Sequence, residues 1–116
     1  MNIEELRDYC LAKPYVTESF PFDEVTLVFK VAGKMFALTG LEKIPPSVNL
    51  KCDPEKSLEL QEIYDSVKPG YHMNKKHWIT VSFLDLKTSF LHELIDHSYD
   101  LVVKSLTKKL RTELNL

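Results

Sequence analysis

Long apolar runs, cysteine and glycine are all scarce in this sequence, and each shortage excludes a class of protein. No apolar run approaches the ~20 residues of a membrane-spanning helix, so we expect no membrane insertion. Cys10 and Cys52 are the only cysteines, and they form no CxxC pair. The acidic, already patterned N-terminus does not look like a signal peptide, so we expect two reduced thiols in a cytoplasmic protein.

Motifs of catalysis and metal binding are missing as well. The three glycines form neither a phosphate-binding loop nor the turn that exposes a catalytic serine in hydrolases. On a helix, His92 and His97 point about 140° apart, whereas a zinc-binding helix places its histidines on one face. His72 and His77 have no carboxylate or thiolate near them in the sequence. We predict no enzyme activity, no cofactor and no metal, unless folding brings distant groups together.

The net charge is only −2, but the charges are unevenly distributed along the chain. Residues 1–66 contain 7 Lys or Arg against 12 Asp or Glu, whereas residues 67–116 contain 8 against 5. Strong bulk attraction to a polyanion is therefore excluded, while a local basic surface in the second half stays open.

Periodicity and capping signals predict one α+β domain spanning residues 1–116, with no repeat or linker. Asn2 opens a capping-box pattern, and Asp53 followed by proline is a strong helix start. Asp85 and Ser98 are further N-cap candidates, so two helices are predicted after them. The predicted elements are a helix over 3–12, strands over 25–31, 34–39 and 47–52, a helix from 54 to the break at 69–70, strands over 71–73 and 78–83, and helices over 86–97 and 99–113.

These elements predict an antiparallel sheet of two hairpin units plus a further strand, covered by helices. The first hairpin turns at Ala32-Gly33, between two strands of alternating pattern. The second turns at residues 74–77. The helix between the hairpins is predicted to carry Leu58, Ile63 and Val67 among its apolar positions.

The segment 69–78 concentrates two lysines and two histidines among aromatic residues. A turn there exposes Lys75 and Lys76, and neither has an acidic partner nearby in the sequence. The pair is either a solvated hairpin tip or a contact for phosphate or carboxylate groups. In the second interpretation, Tyr71 or His72 stacks alongside the bound group.

A second basic set occurs on the last predicted helix. Lys104, Lys108 and Arg111 follow one another at helical spacing, and Lys109 flanks them. They form either a solvated face that complements the negative end of the helix dipole or a second surface for an anion.

Five ordered blocks of the sequence carry a family resemblance that runs nearly end to end. The blocks are Phe20-Pro21-Phe22, Gly33-Lys34-Met35-Phe36-Ala37, Asn49-Leu50-Lys51-Cys52-Asp53-Pro54, Pro69-Gly70-Tyr71-His72-Met73-Asn74-Lys75-Lys76-His77-Trp78, and Ser98-Tyr99-Asp100-Leu101-Val102. The chain resembles the MmcQ/YjbR family of small bacterial cytosolic proteins. This resemblance implies a frataxin (CyaY)-like fold whose hairpins form a double-wing DNA-binding surface. It also suggests iron binding by Glu4, Glu5 and Asp8, although carboxylates at a helix start more simply complement the helix dipole.

The resemblance and the basic turn together favour a non-enzymatic DNA-binding protein. In this hypothesis Lys75 and Lys76 contact phosphates from the second hairpin, and Lys34 is the matching contact on the first. The expected nucleic-acid-binding residues are Lys34, Tyr71, His72, Lys75, Lys76 and His77. The alternative is a small-ligand or protein-interaction module that binds no nucleic acid. In either case we expect a monomer.

Overall fold

An antiparallel sheet of six strands forms the framework of the protein, and helices cover one of its faces. The computed structural model describes all residues 1–116. Its elements are α1 (Ile3–Leu11), β1 (Val16–Ser19), β2 (Thr26–Val31), β3 (Lys34–Gly40), β4 (Ser47–Lys51), α2 (Pro54–Ile63), β5 (Val67–Pro69), β6 (Trp78–Ser82), α3 (Thr88–Ser105) and α4 (Lys108–Leu114). The strand order is β1-β2-β3-β4-β6-β5. The α+β class predicted from the sequence is confirmed, and none of the helices is both long and apolar enough to cross a membrane.

The capping signals in the sequence correctly predict where the first two helices begin. The Asn2 side chain accepts a hydrogen bond from the Glu5 backbone, and Glu5 returns one to the Asn2 backbone, which completes the capping box. Asp53 accepts from the backbone N–H groups of Glu55 and Lys56 at the start of α2. The predicted turn at residues 32–33 is also confirmed, since it joins β2 to β3.

The sequence prediction is wrong about the second hairpin and the helix before it. Helix α2 ends at Ile63, and the chain then forms β5, whose Val67 pairs with Val81 and is almost fully buried. Leu58 and Ile63 are therefore exposed rather than internal. Residues 71–73 form no strand and belong to the connection between β5 and β6. Burial of Val67 in the sheet core outweighs the helical spacing that predicted a longer α2.

Two further differences concern the edge of the sheet and the last third of the chain. Strand β1 pairs along β2 at the sheet edge and was not predicted. Helix α3 runs unbroken through Ser98, which is fully buried in its middle, and Thr107 rather than Ser98 caps the last helix. Lys104 consequently lies in α3, whereas Lys108 and Arg111 lie in α4, so the second basic set is divided between two helices.

Ser98 links α3 directly to two neighbouring strands. Its hydroxyl donates a hydrogen bond to the carbonyl of Phe36 in β3, with an O···O distance of 2.5 Å. The same oxygen accepts from the backbone N–H of Lys51 at the end of β4, at 2.9 Å. The hydroxyl is thus satisfied by the sheet rather than by the helix backbone, which is why it does not end the helix.

The two faces of the sheet differ in what covers them. On the helix side, α1, α2 and α3 contribute to one continuous core of 21 buried residues. The opposite face, which we call the open face, has a small apolar cluster of Val28, Leu38 and Trp78, with Met35 and Met73 packed against it. Met73 comes from the segment 70–77, so this connection is the cover for part of the open face.

Three hydrogen bonds hold the segment 70–77, which we call the loop, against the sheet, and a fourth, between Asn49 and Thr80, links two of their partners. The N–H groups of Gly70 and Tyr71 donate to the Trp78 carbonyl and the Thr80 hydroxyl, both at 2.9 Å. The Asn49 amide donates to the Tyr71 carbonyl at 3.2 Å and accepts from the Thr80 hydroxyl at 2.7 Å. The start of the loop is therefore tied to both β4 and β6.

Replacing Ser98 by alanine should destabilise the fold. The change leaves the part-buried N–H of Lys51 and the buried carbonyl of Phe36 without their shared partner, which costs about 1–3 kcal/mol in free energy of unfolding. Urea denaturation of Ser98→Ala measures this loss. Ser89→Ala, an exposed serine on the same helix, is the matched control and should change stability by less than about 0.5 kcal/mol. Equal effects of the two changes contradict this role of Ser98.

Gly70→Ala should also be destabilising, because no space exists for a side chain at this position. A Cβ at residue 70 would lie 2.7 Å from the Trp78 Cβ and 2.9 Å from the Trp78 carbonyl oxygen. The start of the loop must then shift, at a cost of about 1–3 kcal/mol. Gly40→Ala provides the comparison, since its nearest neighbour, Lys43 Cβ, is at an ordinary 3.6 Å. Thermal unfolding of both variants tests the difference, and a Tm for Gly70→Ala equal to that of Gly40→Ala would show that the loop is not held as described.

Candidate functional site

The charged side chains of the strands are divided between the two faces of the sheet. Side chains alternate along a strand, so Lys30, Lys51 and Lys68, each next to a core residue, lie on the open face. The only acidic strand residue, Glu18, lies on the helix side and forms a bidentate ion pair with Arg7 of α1. The strands therefore place three lysines and no carboxylate on the open face.

The loop adds two more lysines to this surface. Lys51 pairs with Trp78, and Lys68 pairs with Thr80, so both lie beside the strand that follows the loop. Lys75 and Lys76 are exposed, and neither takes part in the two salt bridges of the protein, which are formed elsewhere. The Asn74 side chain accepts a hydrogen bond from the Lys76 N–H at 2.9 Å and fixes the turn that presents them.

Five of the six predicted site residues lie together in the loop, and all five are exposed. They are Tyr71, His72, Lys75, Lys76 and His77. Lys34 is the exception. It pairs with the core-facing Val31, and its ammonium group donates to the Ser105 carbonyl at the end of α3, at 3.3 Å. Its side chain is therefore on the helix side, and the structure does not bring it to the loop lysines.

A groove of about 440 Å³ lies on the open face beside the loop. Its lining comes from the loop, from the ends of β2, β3 and β4, and from the segments before β2 and after β3. The lining residues are Phe22, Asp23, Thr26, Leu38, Thr39, Gly40, Lys43, Ser47, Asn49, Tyr71, His72 and Met73. Its volume falls within the ~300–1,000 Å³ range of small-molecule sites.

Aromatic and cationic groups meet at one wall of this groove. The rings of Tyr71 and His72 have centroids 4.0 Å apart and are tilted by 50°. The ammonium group of Lys43 lies 4.6 Å from the centre of the Tyr71 ring. His72 has a left-handed backbone with φ of 58°, a conformation that non-glycine residues adopt only at an energetic cost. The wall thus combines two rings and a cation that forms no ion pair.

Asp23 is the acidic residue of the groove, and its charge is held by local hydrogen bonds. Its carboxylate accepts from the backbone N–H groups of Val25 and Thr26 and from the Thr26 hydroxyl. The two backbone bonds are the main reason that the pKa of Asp23 is lowered, so the group is ionised at neutral pH. One oxygen, Oδ2, receives only the hydroxyl and can accept from a ligand.

The other titratable clusters of the protein are structural. Between α1 and α3, Asp96 accepts from the Tyr9 hydroxyl and the Lys13 ammonium group. Burial raises the pKa of Tyr9 to about 12, and it raises the pKa of the Cys10 thiol to about 12. Burial likewise raises the pKa of Cys52 to about 11, so both thiols are protonated and protected from reaction at neutral pH.

The remaining histidines are used in packing. His92 stacks on Tyr9 with ring centroids 3.7 Å apart, and His97 accepts a hydrogen bond from the Asp53 N–H. Burial lowers the pKa of His97, which keeps the accepting nitrogen free of its proton. No group of three or more His, Cys, Asp or Glu side chains is arranged to hold a metal ion.

Sequence reasoning missed the open-face lysines Lys30, Lys51 and Lys68, together with Lys43 in the groove. A signal for the first three existed, because each lysine alternates with apolar residues within or beside a strand, as in Phe29-Lys30-Val31. No comparable signal marks Lys43, which reaches the groove only through the path of the segment after β3.

Known proteins that resemble this chain match its sequence and its fold over most of their length. An uncharacterized protein of Escherichia coli O157:H7, YbdF, is 45% identical over 107 residues, which cover 91% of this chain and 88% of that protein. YjbR of Escherichia coli K12, also described as uncharacterized, is 37% identical over 113 residues, covering 96% of this chain and 95% of that protein.

Two solved structures share the architecture. The Deinococcus radiodurans protein DR2400, described as a DUF419 domain, superposes with a TM-score of 0.92 at 45% identity, covering 99% of this chain and 88% of that one. A Pseudomonas syringae protein gives a TM-score of 0.75 at 31% identity, with 87% of this chain and 98% of that chain covered. The likeness to frataxin is tested by none of these matches and stays a prediction. The YjbR family model matches residues 11–101, which confirms the resemblance inferred from the sequence blocks: this chain belongs to the YjbR family.

Proposed function

We propose that this protein is a non-enzymatic, cytoplasmic DNA-binding protein that contacts phosphates through the open face and the loop. The observation that carries the proposal is the charge of this surface. Three strand lysines face outward with no strand carboxylate among them, and Lys75 and Lys76 stand unpaired beside them. Lysine ammonium groups on an uncovered surface are the usual contacts of the DNA backbone.

The overall charge of −2 does not oppose local binding. The exposed carboxylates of α1 lie on the helix side, across the sheet from the open face. Interactions between exposed charges are largely screened beyond the Debye length, which is about 8 Å in physiological salt. The lysines of the loop and the open face therefore act locally on a bound phosphate.

The turn at residues 32–33 and the loop lie at the same end of the sheet, which supports a surface of the double-wing type. Ala37, Leu50 and Ile79 form one row across β3, β4 and β6. Strand β3 begins at Lys34, and β6 begins just after the loop that carries Lys76. These two strands run parallel, separated by β4, so their starts are about 10 Å apart by two strand spacings. A contact by Lys34 requires its side chain to leave the Ser105 carbonyl, so we assign the first hairpin's phosphate contact to Lys30 and retain Lys34 as a prediction.

The titratable groups of the site support a binding role. Asp23 is the groove residue with a shifted pKa, and the shift holds it as a carboxylate rather than preparing it to move a proton. The two thiols are buried. Support for a binding role therefore comes from the lysines and the groove together.

The salt dependence of DNA affinity tests the proposal. If two to four phosphates are contacted, the logarithm of affinity for a labelled duplex should fall with log salt at a slope of roughly −2 to −4. Lys75→Ala/Lys76→Ala should weaken binding and make this slope shallower by about 2, since one counterion contact is lost per lysine. Fluorescence anisotropy at several salt concentrations measures both quantities.

Lys108→Ala/Lys109→Ala is the matched control, because it removes two adjacent exposed lysines from α4 and changes the net charge equally. Its slope should equal that of the unmodified protein. A salt-independent affinity, or the same loss in both double variants, would mean that the loop does not contact phosphates.

A further inference from the structure

The groove beside the loop has features that phosphate contacts alone do not explain. Phe22 and Tyr71 are large aromatic residues, yet they are 64% and 57% exposed, and both line the groove. Exposed aromatic faces at a concave site are characteristic of surfaces that a partner covers. We propose that this groove binds the base of one unpaired nucleotide, either within a single strand or as a free nucleotide.

The shape and lining of the groove suit a flat ring. Leu38 and Met73 give it an apolar surface, while the Tyr71 and His72 rings stand at one wall. Stacking on such rings is available to every base, because each base has a π-face. The volume of about 440 Å³ is enough for a base with its sugar.

The polar groups of the groove match the edges of a nucleotide. Lys43 has no carboxylate within ion-pair distance and lies over the Tyr71 ring, so its ammonium group is available to the phosphate. The ionised Asp23 retains capacity on Oδ2 to accept from an exocyclic amino group, as carboxylates do from cytosine. The Ser47 hydroxyl lines the same groove and is free to donate or accept.

The position of the groove connects it to the phosphate surface. Tyr71 and His72 are in the same loop as Lys75 and Lys76, and the start of this loop is fixed by Asn49 and Thr80. A strand whose backbone follows the loop lysines can therefore place one base against Tyr71. For a base within a single strand, this inference rests on the proposed function. For a free nucleotide, it rests on the groove alone.

The test compares a short labelled oligodeoxycytidine with an abasic oligomer of the same length, which has the same phosphates but no bases. The protein should bind the oligodeoxycytidine more tightly at a given salt concentration. Tyr71→Ala should weaken that binding about five- to a hundredfold, the range expected for one lost base stack, and leave abasic binding unchanged. Tyr71→Phe should retain the preference. Tyr15→Ala, which removes a tyrosine of similar exposure outside the groove, should have no effect.

The outcomes separate the groove from the phosphate contacts. Equal, salt-dependent affinity for the two oligomers overturns base binding and leaves the proposed function intact. If neither oligomer binds, the single-strand form of the inference is overturned, while the duplex titration decides the proposed function separately. Deoxycytidine monophosphate is then tested by calorimetry. Binding that disappears in Tyr71→Ala supports the groove as a free-nucleotide site, whereas no heat of binding overturns the inference.

Discussion

The packing of α3 across β3 and β4 is the constraint on which the rest of the structure depends. Its buried residues supply a large part of the single core, and Ser98 adds hydrogen bonds to Phe36 and Lys51. Because α1 and α2 contribute to the same core, burial is concentrated on one side of the sheet. The open face has only a small apolar cluster under the loop, so it stays accessible to a partner.

The loop is fixed to the sheet and also carries the lysines of the proposed phosphate contact. Met73 and the hydrogen bonds of Gly70 and Tyr71 fasten it to the sheet, while its tip carries Lys75 and Lys76 into solvent. A tip on a fixed base loses little conformational freedom when it binds, which favours affinity. The same attachment forms one wall of the groove, so base and phosphate recognition share a single support.

Features that depend on neighbouring residues could be predicted from the sequence. Features that are set by contacts between distant residues could not. The capping box at Asn2, the turn at residues 32–33 and the exposure of Lys75 are local and were correct. The sequence predicts a cap at Ser98, because the partners of its hydroxyl, Phe36 and Lys51, are far away in the sequence. Strand β1 was missed for a similar reason, since its four residues are ordered by pairing with β2.

The candidate site could likewise be predicted only where it depends on neighbouring residues. The exposed turn with Lys75 and Lys76 could be predicted, whereas residues 71–73 were predicted as a strand and form none. The groove depends on Phe22, Lys43 and Asn49 being brought together by sheet topology. Lys34 was predicted on the wing surface because a residue's position beside a turn is visible in the sequence. The side of the sheet it faces follows from its pairing with Val31, which only the register shows.

The most direct test of the open face as the binding surface is an NMR titration of the ¹⁵N-labelled protein with a short DNA oligonucleotide. We predict amide shift changes in the loop and at Lys30, Lys51 and Lys68, with the exposed surfaces of α1 and α3 unaffected. Amide shift changes centred on α1 and α3, or no shift changes at saturating DNA, would contradict binding through the open face.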